Sequence, residues 1–226
     1  MIVSELVHNN EAAGRSLGEH AYQLLVKMIT RLELEPGTAL AERNLIDQLK
    51  IGRTPIREAL QRLSVEGLVC HLPHRGMYVC EISEAKVRHI FEFRSMIDAP
   101  MARLAAVRAG EMQIHELELI DNELVASIKQ GDFETFVSND RRFHESLAAA
   151  SQNIHIREVV PRIFNQQVRL MFFVLLKTGD WDQLARNHEE MAHSVIDAVA
   201  RHQGEEAELA VRLCLIRQQR EIFRLL

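Results

Sequence analysis

The chain has 226 residues, 47% of them apolar and 26% charged, with a formal net charge of −5. That length allows one large domain or two modest ones and is ample for a buried core, and the composition is ordinary for a globular protein. No apolar run reaches the roughly 18 residues needed to cross a bilayer, the first residues lack the basic-then-apolar order of a secretory signal, and Cys70, Cys80 and Cys214 show no C-x-x-C spacing. A reduced, cytoplasmic compartment and no membrane partner are therefore expected.

Charge is unevenly placed. Residues 15 to 80 carry nine Lys or Arg against seven Asp or Glu, whereas residues 81 to 226 carry 18 against 23. A mildly basic front and an acidic rear suggest two modules with different partners.

Residues 1 to 14 are polar without a period and read as a loose, flexible tail. From Leu17 to Leu32 the apolar spacing fits one helix face. The Pro-Gly of "LEPGTAL" breaks the chain, "AERNLIDQL" reads as a short helix, and "KIGR" as a tight turn. Thr54 is expected to cap a third helix, with Pro55 at its first position and Glu58 completing a capping-box pattern. That helix should end at Gly67. Leu68 to Leu72 and Met77 to Ile82 read as two short strands with "PHRG" at the hairpin tip. Helix, helix, turn, helix, hairpin is the order of a winged helix-turn-helix over residues 15–82.

From Ser83 onward the chain reads as helical throughout. Six amphipathic helices are separated by "RAGE", "KQGD", "SQN", "KTGD" and "HQGEE", and short connections of this kind make an antiparallel bundle over residues 83–226. The expected fold class is mainly α: an N-terminal winged helix-turn-helix followed by an antiparallel all-helical bundle. Ser83 and Asn153 are cap candidates.

The stretch "IGRTPIREALQRLSVEGLV" poses a puzzle. Arg53 and Arg57 stand at the start of a helix, where the helix dipole disfavours cations. An anion met at that end resolves it, because the first N–H groups of a helix also attract anions. Both arginines can reach phosphate or guanine if the helix enters a major groove end-on. Arg43 opens the preceding helix and could touch the same backbone. His74 and Arg75 at the hairpin tip could enter the adjacent minor groove. Arg62 lies further along and reads as a surface residue.

The residues "PGTALAERNLIDQLKIGRTPIREALQRLSVEGLVCHLPHRGMYV" closely resemble the DNA-binding module of GntR-family transcription regulators. The resemblance places DNA contacts on Arg43, Arg53, Thr54 and Arg57, with Gly76 letting the wing approach the backbone. Gly52 departs from the small polar residue often found there.

The rear, through "IFEFRSMIDAPMARLAA" and "DRRFHESLAAASQN", resembles the FadR-like branch, whose helical ligand-binding bundle is the FCD domain. That resemblance implies a bundle holding zinc or nickel through one Asp and three His, with a small organic acid completing the coordination. Asp140 and His144, four apart, lie on one helix face and can share an ion. The two further histidines are expected at Ala192 and, counting on by 22, at Cys214. Neither is His. His188, one turn earlier, and His193, next door, are the available substitutes, and Cys214 could itself ligate zinc. The alternative is a polar pocket that binds ligand without metal. Arg94 matches the family's arginine near the start of the bundle and could grip a ligand carboxylate bidentately. An ion pair with a neighbouring helix is the other reading.

The expected function is a homodimeric, ligand-responsive repressor of transcription. It would bind double-stranded, pseudo-palindromic operator DNA through residues 15–82. Residues 83–226 would bind effector and dimerise. No nucleophile, base and orienter set is evident, so an enzyme is not expected. Two rivals remain: a metal-dependent helical-bundle enzyme, disfavoured because no Glu-x-x-His occurs, and a non-DNA adaptor, disfavoured by the arginine-bearing helix start.

Overall fold

Ser16 opens the first helix, its hydroxyl accepting the Glu19 N–H at 3.2 Å. Helix α1 (Leu17–Thr30) then buries Tyr22, Leu25 and Ile29 on one face. These pack against Leu45 and Leu49 of α2 (Glu42–Leu49) and against Ile56, Leu60 and Leu63 of α3 (Arg53–Val65). Between α1 and α2, Gly37 takes φ +80°, which only glycine adopts freely. The turn lays residues 38–40 beside the hairpin: the Val79 N–H donates to the Thr38 carbonyl at 2.9 Å, and Leu40 to Met77 at 2.8 Å. Strands β1 (Val69–Leu72) and β2 (Gly76–Val79) pair antiparallel, Val69 opposite Val79 and Leu72 opposite Gly76. Their buried ends, Val69 and Val79, close this core.

The third helix starts earlier than expected. Gly52, not Thr54, is the N-cap, with no side-chain bond, and its carbonyl accepts the Ile56 N–H at 3.3 Å. Thr54 is thus inside the helix, and Pro55 sits at the third position. The reason is that proline's missing N–H is harmless anywhere in the first turn, where no intrahelical partner exists. Arg62 is also more than a surface residue. Its guanidinium lies 3.5 Å over the Tyr22 ring and pairs with Glu19 at 2.8 Å and Glu66 at 3.4 Å, while the Tyr22 hydroxyl donates to Glu66 at 2.8 Å. This network ties α3 to α1.

The computed structural model describes residues 16–226 and divides between Ile82 and Ser83; the tail expected over residues 1 to 14 lies outside the described residues. The second unit is a bundle of α4 (Glu84–Arg108), α5 (Glu111–Gln130), α6 (Phe133–Ala150), α7 (Ile154–Thr178), α8 (Asp182–Ala200) and α9 (Gly204–Phe223). Ser83 caps α4 and Asn153 caps α7 by accepting main-chain N–H groups. Gly131 and Gly179 end α5 and α7 in the left-handed conformation. Helix α9 packs along α4 and α8, and α5 packs against α6 and α8.

Helix α7 is apolar and long enough to cross a membrane by composition, yet 61% of that window is buried in the bundle. Buried Asn165, Gln166, Gln167 and Arg169 interrupt it. Those features belong to a central core helix.

Candidate functional site

The first candidate surface lies at the start of α3. The Arg53 side chain is 70% exposed and that of Arg57 60%. Arg43, Thr54, His74, Arg75 and Gly76 are exposed as well. Because Gly52 supplies no capping side chain, the first N–H groups of α3 are available to an anion. Gly76 holds φ +91° at the wing tip and has open space where a side chain would stand. A groove of about 510 Å³ runs between the start of α2, α3 and the wing, with Glu42, Arg57, His71 and Arg75 among its walls.

Glu42 was not singled out in the sequence, yet it faces both arginines. Arg57 Nε donates to its Oε1 at 2.7 Å, and Arg53 Nε lies 3.9 Å from its Oε2. An exposed pair of this kind contributes about 1 kcal/mol or less. Such a pair is weak enough for an arriving anion to displace.

The second candidate site is a polar centre inside the bundle, built by five helices. Helix α4 contributes Arg94 and Asp98, α6 Asp140 and His144, α7 Gln167, α8 His188, and α9 Cys214 and Gln218. All are buried. Arg94 Nε donates to Asp98 Oδ2 at 2.8 Å, and its Nη1 to Gln218 Oε1 at 3.2 Å. Its ion pair is thus made within its own helix, with a hydrogen bond across to α9. Phe136 stands edge-on to the His188 ring at 5.6 Å, and Phe164 lies 5.4 Å from the His144 ring. A cavity lined in part by Arg94, Gln167, His188, Gln218 and Glu221 has about 10 Å³ of free space, the size of one water.

Among the metal candidates, the structure brings His144 and His188 to Asp140 and turns His193 away. His188 Nε2 lies 3.6 Å from Asp140 Oδ2, and His144 Nε2 lies 3.5 Å from Asp140 Oδ1. His193 instead faces α5, its Nε2 3.0 Å from Asp121 Oδ2, with the side chain 55% exposed. One step along a helix turns a side chain by roughly 100°, so His193 and Ala192 cannot share a direction. Cys214 is buried with its Sγ 3.6 Å from the Asn187 carbonyl, and burial pushes its thiol up to about 12. Its Sγ also accepts from Gln218 Nε2 at 3.3 Å.

As they stand, Asp140, His144 and His188 are not free to share an ion, because Gln167 Nε2 donates to Asp140 Oδ2 at 3.0 Å and lies 3.3 Å from His188 Nε2. The two imidazoles address different oxygens of Asp140, and among the described residues no three His, Cys, Asp or Glu side chains form a metal-holding group. Asp140 Oδ1 and His144 Nε2 are nonetheless buried without hydrogen-bond partners. Such orphaned polar atoms are costly unless a ligand meets them.

Burial holds the His144 pKa below its ordinary 6.5, against the opposing pull of Asp140. The folded chain thus keeps His144 neutral at pH values where the unfolded chain would protonate it. Below 6.5 the unfolded state binds more protons, so stability falls as pH drops, by at most ~1.4 kcal/mol per pH unit. The melting temperature should be lower at pH 5.5 than at 7.5, and His144→Gln should flatten that difference. An unchanged slope in the variant would assign the effect elsewhere.

A small winged helix-turn-helix with arginines at its reading helix, ahead of a bundle with a buried polar centre, defines a DNA-binding regulator with a sensing domain. Comparison with known proteins agrees. Residues 17–79 match the bacterial regulatory proteins of the gntR family, and residues 89–217 match the FCD domain. The Nta operon transcriptional regulator of Aminobacter aminovorans is 28% identical over 168 residues, 74% of this chain and 76% of that protein. The HTH-type transcriptional repressor RspR of Escherichia coli is 32% identical over 131 residues, 58% of each chain. Among solved structures, E. coli McbR/YncC superposes with a TM-score of 0.79 at 20% identity, covering 93% of this chain and 98% of that one.

The chain belongs to the GntR family, in the branch that carries an FCD domain. It is a ligand-responsive, DNA-binding transcription regulator and not an enzyme.

Proposed function

We propose that the protein is a cytoplasmic homodimeric repressor that reads a pseudo-palindromic operator with the two copies of α3 and releases it when a small carboxylate enters the bundle. The observation that carries the DNA half is the exposed Arg53–Arg57 pair at an uncapped helix start. A single small module makes few contacts, so two symmetry-related modules are needed for a stable complex. RspR of Escherichia coli, one of the similar proteins, is a transcriptional repressor. For the sensing half, Arg94 is the cation among the cavity's walls, and its fork can turn from Gln218 to a carboxylate. Effector binding would then disturb α9 through Gln218 and bias the dimer between states of different operator affinity.

Residues 15–82 carry the DNA contacts in this reading, and 83–226 sensing and dimerisation. Arg57→Ala is expected to weaken operator binding by about 1–3 kcal/mol, the cost of losing one base-reading arginine. Folding should hardly change, because the side chain is exposed. Fluorescence anisotropy on a duplex selected from a random pool measures it; wild-type affinity in the variant would remove α3 as the reader.

A further inference from the structure

We propose that Gln167 takes the place of a metal ion in this bundle, its side-chain amide joining Asp140 to His188 where the two would otherwise share a cation. The orientation of every group follows from obligate donors and acceptors. Arg94 can only donate, so the Gln218 oxygen must face it and the Gln218 Nε2 must face His188, which lies 3.0 Å away at Nε2. Asp140 is an acceptor when ionised, so Gln167 presents its Nε2 to Oδ2 at 3.0 Å, and the same nitrogen lies 3.3 Å from His188 Nε2. With two amide donors at Nε2, the proton of His188 belongs on Nδ1, which lies 2.9 Å from the Leu184 carbonyl.

The result is one connected network in which Arg94 donates to Asp98 and Gln218, both amides donate to His188, and Gln167 also donates to Asp140. The His188 lone pair that would ligate a metal already accepts from amides. One oxygen of Asp140 is likewise taken. A neutral amide with two donor hydrogens does for these partners what a cation would do, without adding charge. The groups left over are Asp140 Oδ1 and His144 Nε2, 3.5 Å apart and both without hydrogen-bond partners. Two ligands do not hold a divalent ion tightly. They do offer a pair of buried polar atoms to a small hydrogen-bonding ligand, such as one bearing a hydroxyl group. This second step rests on the bundle being the effector site; the metal-independence does not.

The test is zinc titration of the full-length purified chain against a fluorescent chelator, with metal analysis of the protein as isolated and circular dichroism to verify folding. The wild type should carry no stoichiometric metal, and its melting temperature should not move with EDTA or zinc. Gln167→Ala frees Asp140 Oδ2 and leaves His188 Nε2 with Gln218 as its one amide donor, which a cation can displace; the variant should become a one-to-one zinc complex that His188→Ala, added to it, abolishes. If the alanine variant does not fold, Gln167→Met keeps the volume and removes the same donors. Tightly bound metal in the wild type would overturn the proposal, as would a folded Gln167 variant that takes up no zinc. Neither readout depends on an effector, so failure here leaves the sensing role itself standing.

Discussion

Arg94→Ala lowers the stability of the helical bundle by about 3–5 kcal/mol, the cost of stranding one member of a buried ion pair. The Arg94 and Asp98 side chains are only 3% and 4% exposed. Removing the guanidinium leaves the Asp98 carboxylate without its cation and takes the donor from Gln218 Oε1, the group that orients Gln218 toward His188. For a unit of this size the loss corresponds to a fall in melting temperature of roughly 6–20 °C. Exchanging both partners, Arg94→Met with Asp98→Leu, should recover much of the loss, since no unpaired charge is then left inside. Thermal unfolding of the single and double variants separates the pair's worth from the penalty of breaking it. A single-variant loss below about 1 kcal/mol, the range of exposed pairs, would show that the pair is open to water in solution.

Met96→Glu combined with Ile216→Glu should yield a monomer and weaken operator binding roughly a hundredfold, the loss that follows when two heads no longer act together. Met96 is 69% exposed on α4. Leu209, Leu213 and Ile216 are exposed on α9 at one-turn spacing, along a helix that packs on α4. Met96 and Ile216 line one surface depression together with Arg212. This apolar stripe lies beside the Arg212–Glu208 and Arg103–Glu208 pairs, and in the proposed homodimer it is the face that would meet its copy. Two buried carboxylates in such a contact would go unpaired. Sedimentation velocity reads the oligomeric state. A variant that stays dimeric would move the interface to another face.

Most of the fold was legible because local rules govern it. The helix breaks at Gly131 and Gly179 and the caps at Ser83 and Asn153 depend on neighbouring residues only. Thr54 misled because two adjacent residues each satisfied a capping rule, and Gly52 took the position with its backbone alone. The exposure of Arg53 and Arg57 at a helix start was legible for the same local reason, whereas the approach of Glu42 to Arg57 depends on how α2 meets α3.

The polar centre was legible only in part. Asp140 and His144 share a helix face, so their spacing announces them, whereas His188 reaches Asp140 across helices from one turn before the expected position. Gln167 and Gln218 carry no metal-ligand signature and went unnoticed. A clue was available in "FNQQVRLMFFVLL", where an amide pair interrupts an otherwise apolar core helix. A buried amide of that kind must be hydrogen-bonded to something.

In the proposed complex the arginine-bearing start of α3 binds operator DNA. The most direct measurement is the affinity of the full-length chain for a selected duplex between 50 and 200 mM salt, for the wild type and for Arg53→Ala with Arg57→Ala. Log K should fall linearly with log salt in the wild type; in the double variant the slope should be shallower by about one for each phosphate-contacting arginine lost, with base discrimination lost wherever an arginine reads a base. Binding that is insensitive to salt, or a double variant with the wild-type slope and specificity, would contradict it.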